Sequence, residues 1–484
     1  LIALTLDRIA EITQTAIGGS ARPDSVVDGP VVIDSRGAAP GALFVALKGE
    51  RVDGHDFAAA AVEAGAAAVL ASRPVDAPHL LVDGGGDEAV VAALARLAAY
   101  VARELSDPAR GTDAAQIVGI TGSSGKTTTK DLVAQVVGGL GPTVAPAGSF
   151  NNEIGHPLTV LRADTGTRHL VLEVAARGIG HIAHLCRVAP PRIGVVLNVG
   201  SAHMGEFGGR DAIARAKGEL VEALPPGGER RGGGGVAVLN ADDPRVNAMA
   251  ARTRARVVTY GLAEDADVRA SDVLLEDTGA PSFTLHLDGS TARVRLALVG
   301  AHQVHNALAA AVVADELGMD IEAIAAALGA AVPASRWRME VTEHDGVTLV
   351  NDAYNANPES MRAALTTLGA LARERRSIAV LGLMGELGEQ AHQAEHERVG
   401  EMAAETGVSH LVVVGEGAEG IAVGAERAAR DGRWRGECVR VPDAERAAPA
   451  VRERMRAGDV VIVKGSRVAA LERVIDLITK GDAQ

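Results

Sequence analysis

Two cysteines in 484 residues, Cys186 and Cys438, are too few for a disulfide framework and fit a reducing compartment. Lysine is also scarce. Of 48 basic residues only six are lysines: Lys48, Lys126, Lys130, Lys217, Lys464 and Lys480. Arginine serves elsewhere, so a retained lysine is a candidate for chemistry that a guanidinium cannot perform, such as forming a neutral amine. Lys480, in the polar tail, reads as retained by chance. Aromatic residues make up 2% of the chain, yet Phe44, Phe57, Phe150, Phe207, Trp337 and Tyr354 all fall in the motifs described below. A basic surface is lacking. The formal charge of -14 argues against non-specific nucleic-acid binding. It leaves anionic nucleotides open, because a Gly-rich loop can hold phosphate through backbone N–H groups. No apolar run reaches membrane-spanning length, and Asp7 and Arg8 interrupt the early apolar residues. A cytoplasmic protein without a signal peptide is therefore expected.

The length suggests about three domains, and the chain reads as α/β throughout. In the first block, Val31–Ile33, Leu43–Ala46 and Ala67–Leu70 read as strands and Ala58–Ala64 as a helix. The polar stretch Ser106–Ala114, with Pro108 and Gly111, is the expected linker. A second block has strands at Gln116–Ile120, His169–Val174 and Ile193–Val199 and a helix at Thr127–Val137. Such alternation predicts a mainly parallel sheet covered on both faces. The run GGERRGGGG at 227–235 reads as low-complexity loop. A third block has strands at Val347–Asn351, Ser377–Leu381, His410–Val414 and Val460–Val463, a second doubly wound unit. The expected domains are 1–112, 113–333 and 334–484.

Thr121–Thr128 reads TGSSGKTT between a strand and a helix. The run comprises Thr121, Gly122, Ser123, Ser124, Gly125, Lys126, Thr127 and Thr128. Its glycines allow a tight turn whose N–H groups face one phosphate cluster. Lys126 adds charge at the terminal phosphates, and the hydroxyl of Thr127 or Thr128 can bind Mg²⁺. A plain Gly/Ser turn with a solvated lysine is the alternative, which the strand–loop–helix context disfavours. The loop is one residue shorter than the common Walker A spacing, which points away from GTPases.

Glu173 and His203 follow strands at the end where ligands of doubly wound sheets collect. A carboxylate there suits Mg²⁺; His203 taken alone reads as an ordinary satisfied histidine. In the helix Asp211–Leu224, Lys217 shares a face with Ile213, Leu220 and Leu224. A bare ammonium on that face is costly. Either its stem packs while the head reaches water, or the neutral amine takes up CO₂ as a metal-binding carbamate.

Five blocks together resemble the Mur ligases: TGSSGKTTTK, NNEIGHP at 151–157, LEVAARGIGHI at 172–182, NVGSAHMGEFGG at 198–209 and AKGEL at 216–220. DSRGAAPGALFVALKGERVDGHDF at 34–57 resembles the family's uridine-nucleotide-binding domain. NDAYNANPESM at 351–361 and VLGLMGELGEQAHQAEHERVG at 380–400 resemble the branch that adds D-alanyl-D-alanine to a UDP-MurNAc-tripeptide, and no DNPR-like segment is seen. The resemblance covers essentially the whole chain.

It implies an N-terminal UDP-substrate-binding domain, a central P-loop ATPase and a C-terminal Rossmann-like domain that binds the dipeptide and closes on ATP. It implies ATP and Mg²⁺ as cofactors and a monomer acting on small molecules, with no nucleic acid and no membrane insertion. By the same resemblance Lys217 is carbamylated, and Thr127, Glu173 and His203 are the other metal ligands. Asn306 faces adenine, and Arg338 and Asp352 are the C-terminal nucleotide contacts. Ser35, Arg36, Lys48, Asp53, Gly54 and His55 belong to the uridine block. Asn151, Asn152, Tyr354, Asn355 and Asn357 face the substrates. Taken singly, Asn306 could be a helix cap, Arg338 a surface ion pair, Asp352 and Asn355 turn formers and Tyr354 a core residue. Two departures stand out. Glu173 is followed by Val174 and Ala175 where the family has a Met/Leu-Gly pair, and Arg336 competes with Arg338 in the alignment. A folylpolyglutamate synthetase-like ligase would lack the uridine block, and a silent precursor sensor would not need Lys126, Glu173, His203 and Lys217.

Overall fold

The computed structural model describes residues 1–201, 207–228 and 233–480. His203 and part of the 227–235 run lie outside the described residues. Three larger sheets organise the chain, among the described residues. The first has strands in the order Thr15–Gly18, His79–Val82, Ala68–Ala71, Leu43–Val45 and Val31–Val32, antiparallel only at the first pair. Its core packs against the 21-residue helix Gly86–Ser106 through Val90, Leu94, Leu97 and Val101. The expected linker is a short 3₁₀ segment, Pro108–Asp113, capped by Asp107.

The central sheet runs Thr143–Val144, His169–Glu173, Gln116–Thr121, Ile193–Val196, Val236–Asn240, Arg256–Gly261 and Val268–Leu275, all parallel. Pro281–Leu287 and Ser290–Arg295 extend it antiparallel. The C-terminal sheet runs Glu340–His344, Val347–Asn351, Val460–Lys464, Ser377–Gly382, His410–Val414 and Glu437–Val441, antiparallel only at its first pair.

The parallel strands are near-continuous Val, Ile, Leu and Ala because helices bury both faces. Helix Gln303–Glu316 is buried all round except at His305, which makes it a core helix rather than a surface one. Helix Arg210–Glu222 lies close against the sheet because the strands beneath it carry glycine. A Cβ at Gly119 would come 3.0 Å from Leu220, and one at Gly194 3.1 Å from Leu224. The strand expected at Ile193–Val199 stops at Val196. Leu197 and Asn198 leave the ladder to meet Asn240 and the phosphate loop. No described helix is long and apolar enough to cross a membrane.

Candidate active site

The carboxyl ends of the central and C-terminal sheets line one cavity of about 790 Å³, large enough for a nucleotide and part of a second substrate. Its floor is the phosphate loop. Gly125 has φ +82°, and a Cβ there would come 2.8 Å from Asn306 Oδ1, so glycine is required for the turn. Asn198 braces the loop. Its Oδ1 accepts from the N–H groups of Ser123 (3.0 Å) and Ser124 (2.9 Å), and its Nδ2 donates to Ser124 O at 3.1 Å. Lys126 opens helix Lys126–Val137, and its Nζ donates back to Gly122 O at 2.9 Å. Burial lowers the Lys126 pKa, while the negative charges of Glu173 and Glu386 oppose that shift. Thr121 is fully buried beneath the loop, and Thr128 lines the cavity.

Glu173, 1% exposed, ends strand His169–Glu173 beside the loop. Its two oxygens accept from Thr127 Oγ1 at 2.8 Å and Asn151 Nδ2 at 2.7 Å. Thr127 Oγ1 also lies 2.9 Å from Ser149 Oγ, which accepts from Arg338 Nη2 at 3.0 Å. A continuous polar chain thus joins the C-terminal arginine to the carboxylate. The hydroxyls of Thr127 and Ser149 and the carboxylate of Glu173 form a hard oxygen set of the kind Mg²⁺ takes alongside phosphates and water. Asn152 turns its side chain to its own backbone, accepting from Gly155 N at 2.8 Å, and also lines the cavity.

Lys217 is 5% exposed, so its head does not reach water as a snorkelling lysine's would. Burial first, then the charge of Lys126, push its pKa well below the ordinary lysine value; Glu386 opposes them. That environment favours the neutral amine.

The C-terminal wall resolves several alternatives. Arg338 lines the cavity, and its guanidinium lies 4.1 Å from the Tyr354 ring centroid. Its Nε is buried with no partner among the described residues, which leaves a donor for a ligand. Arg336 instead stacks on Trp337 at 5.4 Å, and Arg467 covers the same ring at 4.4 Å. Trp337 (φ 60°) and Met339 (φ 52°) flank Arg338 in the left-handed region. These sparsely populated backbone conformations aim the arginine into the cleft. Asp352 accepts from Lys464 Nζ at 2.6 Å and from Met339 N at 3.2 Å. Lys464, 2% exposed, also donates to Asn355 O at 2.8 Å.

Asn306 sits inside helix Gln303–Glu316 rather than at its cap. It donates to Gln303 Oε1 at 2.8 Å and accepts from Thr129 Oγ1 at 3.1 Å, facing the cavity. Asn357 forms a capping box with Ser360 on helix Pro358–Ala372 and lines the cavity as well.

The uridine-block residues are elsewhere, and none lines this cavity. Asp53 accepts from His55 N at 3.0 Å and lies 2.6 Å from His55 Nδ1; these contacts bring its pKa down to about 2. His55 Nε2 in turn accepts from Ser72 N at 3.1 Å. A Cβ at Gly54 would come 2.6 Å from Leu47 O. Ser35 opens the 3₁₀ turn Ser35–Gly37, in which exposed Arg36 pairs with Asp34 at 2.6 Å. Lys48 is exposed, and its N–H donates to Asp87 at 2.9 Å. Sequence reasoning missed Ser149, Asn198 and Glu386 as individual site residues. It flagged Lys464, in VKGSR at the carboxyl end of a strand, without giving it a role.

Three segments match family descriptions: "Mur ligase family, catalytic domain" over residues 30–101, "Mur ligase middle domain" over 120–314 and "Mur ligase, glutamate ligase domain" over 337–467. The chain belongs to the Mur ligase family and is an ATP-dependent ligase. Its relatives include the UDP-N-acetylmuramoyl-tripeptide–D-alanyl-D-alanine ligase of Mycobacterium tuberculosis, 49% identical over an alignment covering 100% of this chain and 99% of that protein. The enzyme of the same name from Escherichia coli is 34% identical, with 98% of each covered. Among solved structures, MurF from Acinetobacter baumannii superposes with a TM-score of 0.84 at 29% identity, covering 99% of this chain and 100% of that one. MurF from Thermotoga maritima, in complex with ADP, gives 0.77 at 31% identity, covering 94% and 98%. A Mycobacterium tuberculosis folylpolyglutamate synthase, at 19% identity and a TM-score of 0.59, shares the fold.

Proposed function

We propose that this chain joins D-alanyl-D-alanine to UDP-N-acetylmuramoyl-tripeptide, with ATP converted to ADP and phosphate. One observation carries the reading. A phosphate loop with Lys126 and the Thr127–Glu173 oxygen set faces the Arg338–Tyr354–Asp352 wall across one cavity, in a chain matching D-alanyl-D-alanine ligases end to end.

In this mechanism Lys126 and the loop N–H groups orient the terminal phosphate and stabilise its charge in transfer. The tripeptide carboxylate attacks the γ-phosphorus and ADP leaves, giving an acyl phosphate. The dipeptide amine, once deprotonated, attacks the acyl carbon, and phosphate departs. Asn306 faces adenine, and Arg338 and Asp352 contact the nucleotide from the C-terminal side. Asn151, Asn152, Tyr354, Asn355 and Asn357 face the two acceptor substrates. The cluster of Ser35, Arg36, Lys48, Asp53, Gly54 and His55 holds the uridine end, outside the central cavity. Thr127, Glu173 and a carbamylated Lys217 would hold Mg²⁺, which would neutralise phosphate charge; His203 joins them by resemblance.

ADP release is to be measured with ATP, Mg²⁺, UDP-MurNAc-tripeptide and D-alanyl-D-alanine, omitting each in turn. The expected result is release that needs all four, with a UDP-MurNAc-pentapeptide as product. Release without the dipeptide, or with another amine in its place, overturns the reading.

A further inference from the structure

One acidic side chain on the cavity wall has no part in the mechanism above. Glu386 lies in the loop after strand Ser377–Gly382 and lines the cavity from the C-terminal side. Its loop is held from three directions. Gly385 N donates to Ser466 Oγ at 2.7 Å, Met384 N to His396 Nε2 at 3.0 Å, and Ser466 N to Leu383 O at 2.8 Å.

The carboxylate is oriented as well. Asn355 Nδ2 donates to Glu386 Oε1 at 3.0 Å. Asn355 is itself fixed, because its carbonyl accepts from buried Lys464 at 2.8 Å and its Oδ1 from Ala356 N at 2.9 Å. Glu386 therefore shares one cavity with the phosphate loop and enters it from the C-terminal sheet's side.

A carboxylate facing phosphate oxygens is repelled unless a cation lies between them. Lys126 lines the same cavity as one such cation, and in the proposed reaction two more come to this point, the metal ion and the ammonium group of the dipeptide. Thr127 and Glu173, the oxygen donors suited to the metal, are hydrogen-bonded to each other on the central wall. Glu386 is fixed to Asn355 on the C-terminal wall of the cavity. We propose that Glu386 is the carboxylate that receives the ammonium end of the incoming dipeptide, with Asn355 setting its direction. The amine is thereby held toward the acyl carbon. Glu386 has this role only if the dipeptide is the amine substrate, as proposed above.

Glu386→Gln and Glu386→Asp are compared with the wild type in steady-state kinetics, varying each substrate in turn. D-Lactoyl-D-alanine, whose hydroxyl replaces the ammonium, serves as a competitive probe. A hydrogen bond to a charged group is worth enough for about a ten- to hundredfold effect. Glu386→Gln is expected to raise the dipeptide KM by that factor. The KM values for ATP and the UDP-substrate stay within about twofold, and the inhibition constant of the hydroxyl analogue is unchanged. Glu386→Asp recovers part of the loss. If Gln does not fold, the Asp variant alone decides by whether its loss is confined to the dipeptide. An unchanged dipeptide KM, an equal loss for dipeptide and hydroxyl analogue, or a loss that follows ATP or Mg²⁺ overturns the assignment. A wild type that turns over normally while the variants behave as wild type refutes Glu386 alone. A wild type whose ADP release ignores the dipeptide refutes the function beneath it.

Discussion

Lys217 concentrates the tension between folding and chemistry at this site. An unpaired ammonium inside a protein costs several kcal/mol, and here Lys126 adds like-charge repulsion. Loss of the proton removes both penalties, and in the proposed carbamate the new negative charge would be met by Lys126 and the metal. Replacing Lys217 by Arg keeps a positive charge that cannot take up CO₂. The expected outcome is a fall in kcat of at least about a hundredfold, near the scale of losing one preorganised electrostatic group. Wild-type ADP release in CO₂-depleted buffer should rise on adding bicarbonate, and the Arg variant should not respond. Lys126 stood out through the phosphate-loop motif and Lys217 through the apolar face it shares, and the scarcity of lysine drew attention to both. Ser149 and Asn198 did not stand out. A serine or asparagine in a loop is most often a turn former, and only the folded chain shows Ser149 touching Thr127 and Arg338.

Helix Gly155–Val160 carries His156 into the interior, and His302 stands half-buried at the start of helix Gln303–Glu316. Burial lowers both histidines from 6.5 to about 4. The folded pKa is below the unfolded one, so the stability these groups contribute is complete above pH 6.5. It is lost as pH falls toward 4, when the unfolded chain takes up protons that the folded chain refuses. The loss approaches roughly 3 kcal/mol per histidine. Urea denaturation from pH 8 to pH 4 should show it, and His156→Leu should flatten the curve by about half. The buried parallel strands were readable as apolar runs, but several strands toward the sheet margins were not. Val268–Leu275 loses its alternation at a register shift between Ser271 and Leu274, with Asp272 at φ 51°. Ser290–Arg295 and Glu340–His344 are largely exposed and polar, so no hydrophobic period marks them.

Across the whole molecule, contacts among the described residues tie the C-terminal sheet's side of the cavity to the central one. Arg338 reaches Ser149, and Glu359 accepts from Ser201 N at 3.0 Å and Ser201 Oγ at 2.9 Å. Glu359 stands in the first turn of helix Pro358–Ala372, and a Cβ at Gly200 would come 2.8 Å from its carboxyl carbon. Glu359→Ala should free the amide of Ser201, seen as faster hydrogen exchange there by at least about tenfold, as expected for a lost charged hydrogen bond. Exchange in strand Val236–Asn240 should stay as in the wild type. Unchanged exchange at Ser201 would show that the contact does not hold the two sides together.

The stack of Arg336 and Arg467 on Trp337 has an optical consequence. The chain has two tryptophans. Trp434 is buried in the C-terminal core with its indole N–H on Val408 O at 2.7 Å, whereas Trp337 is half-buried between two guanidinium groups. Arg467 also lines the cavity, so a ligand that draws it away changes the field over one indole and leaves the other as an internal reference. Intrinsic fluorescence therefore gives this ligase a label-free reporter placed beside Arg338, where the two lobes meet.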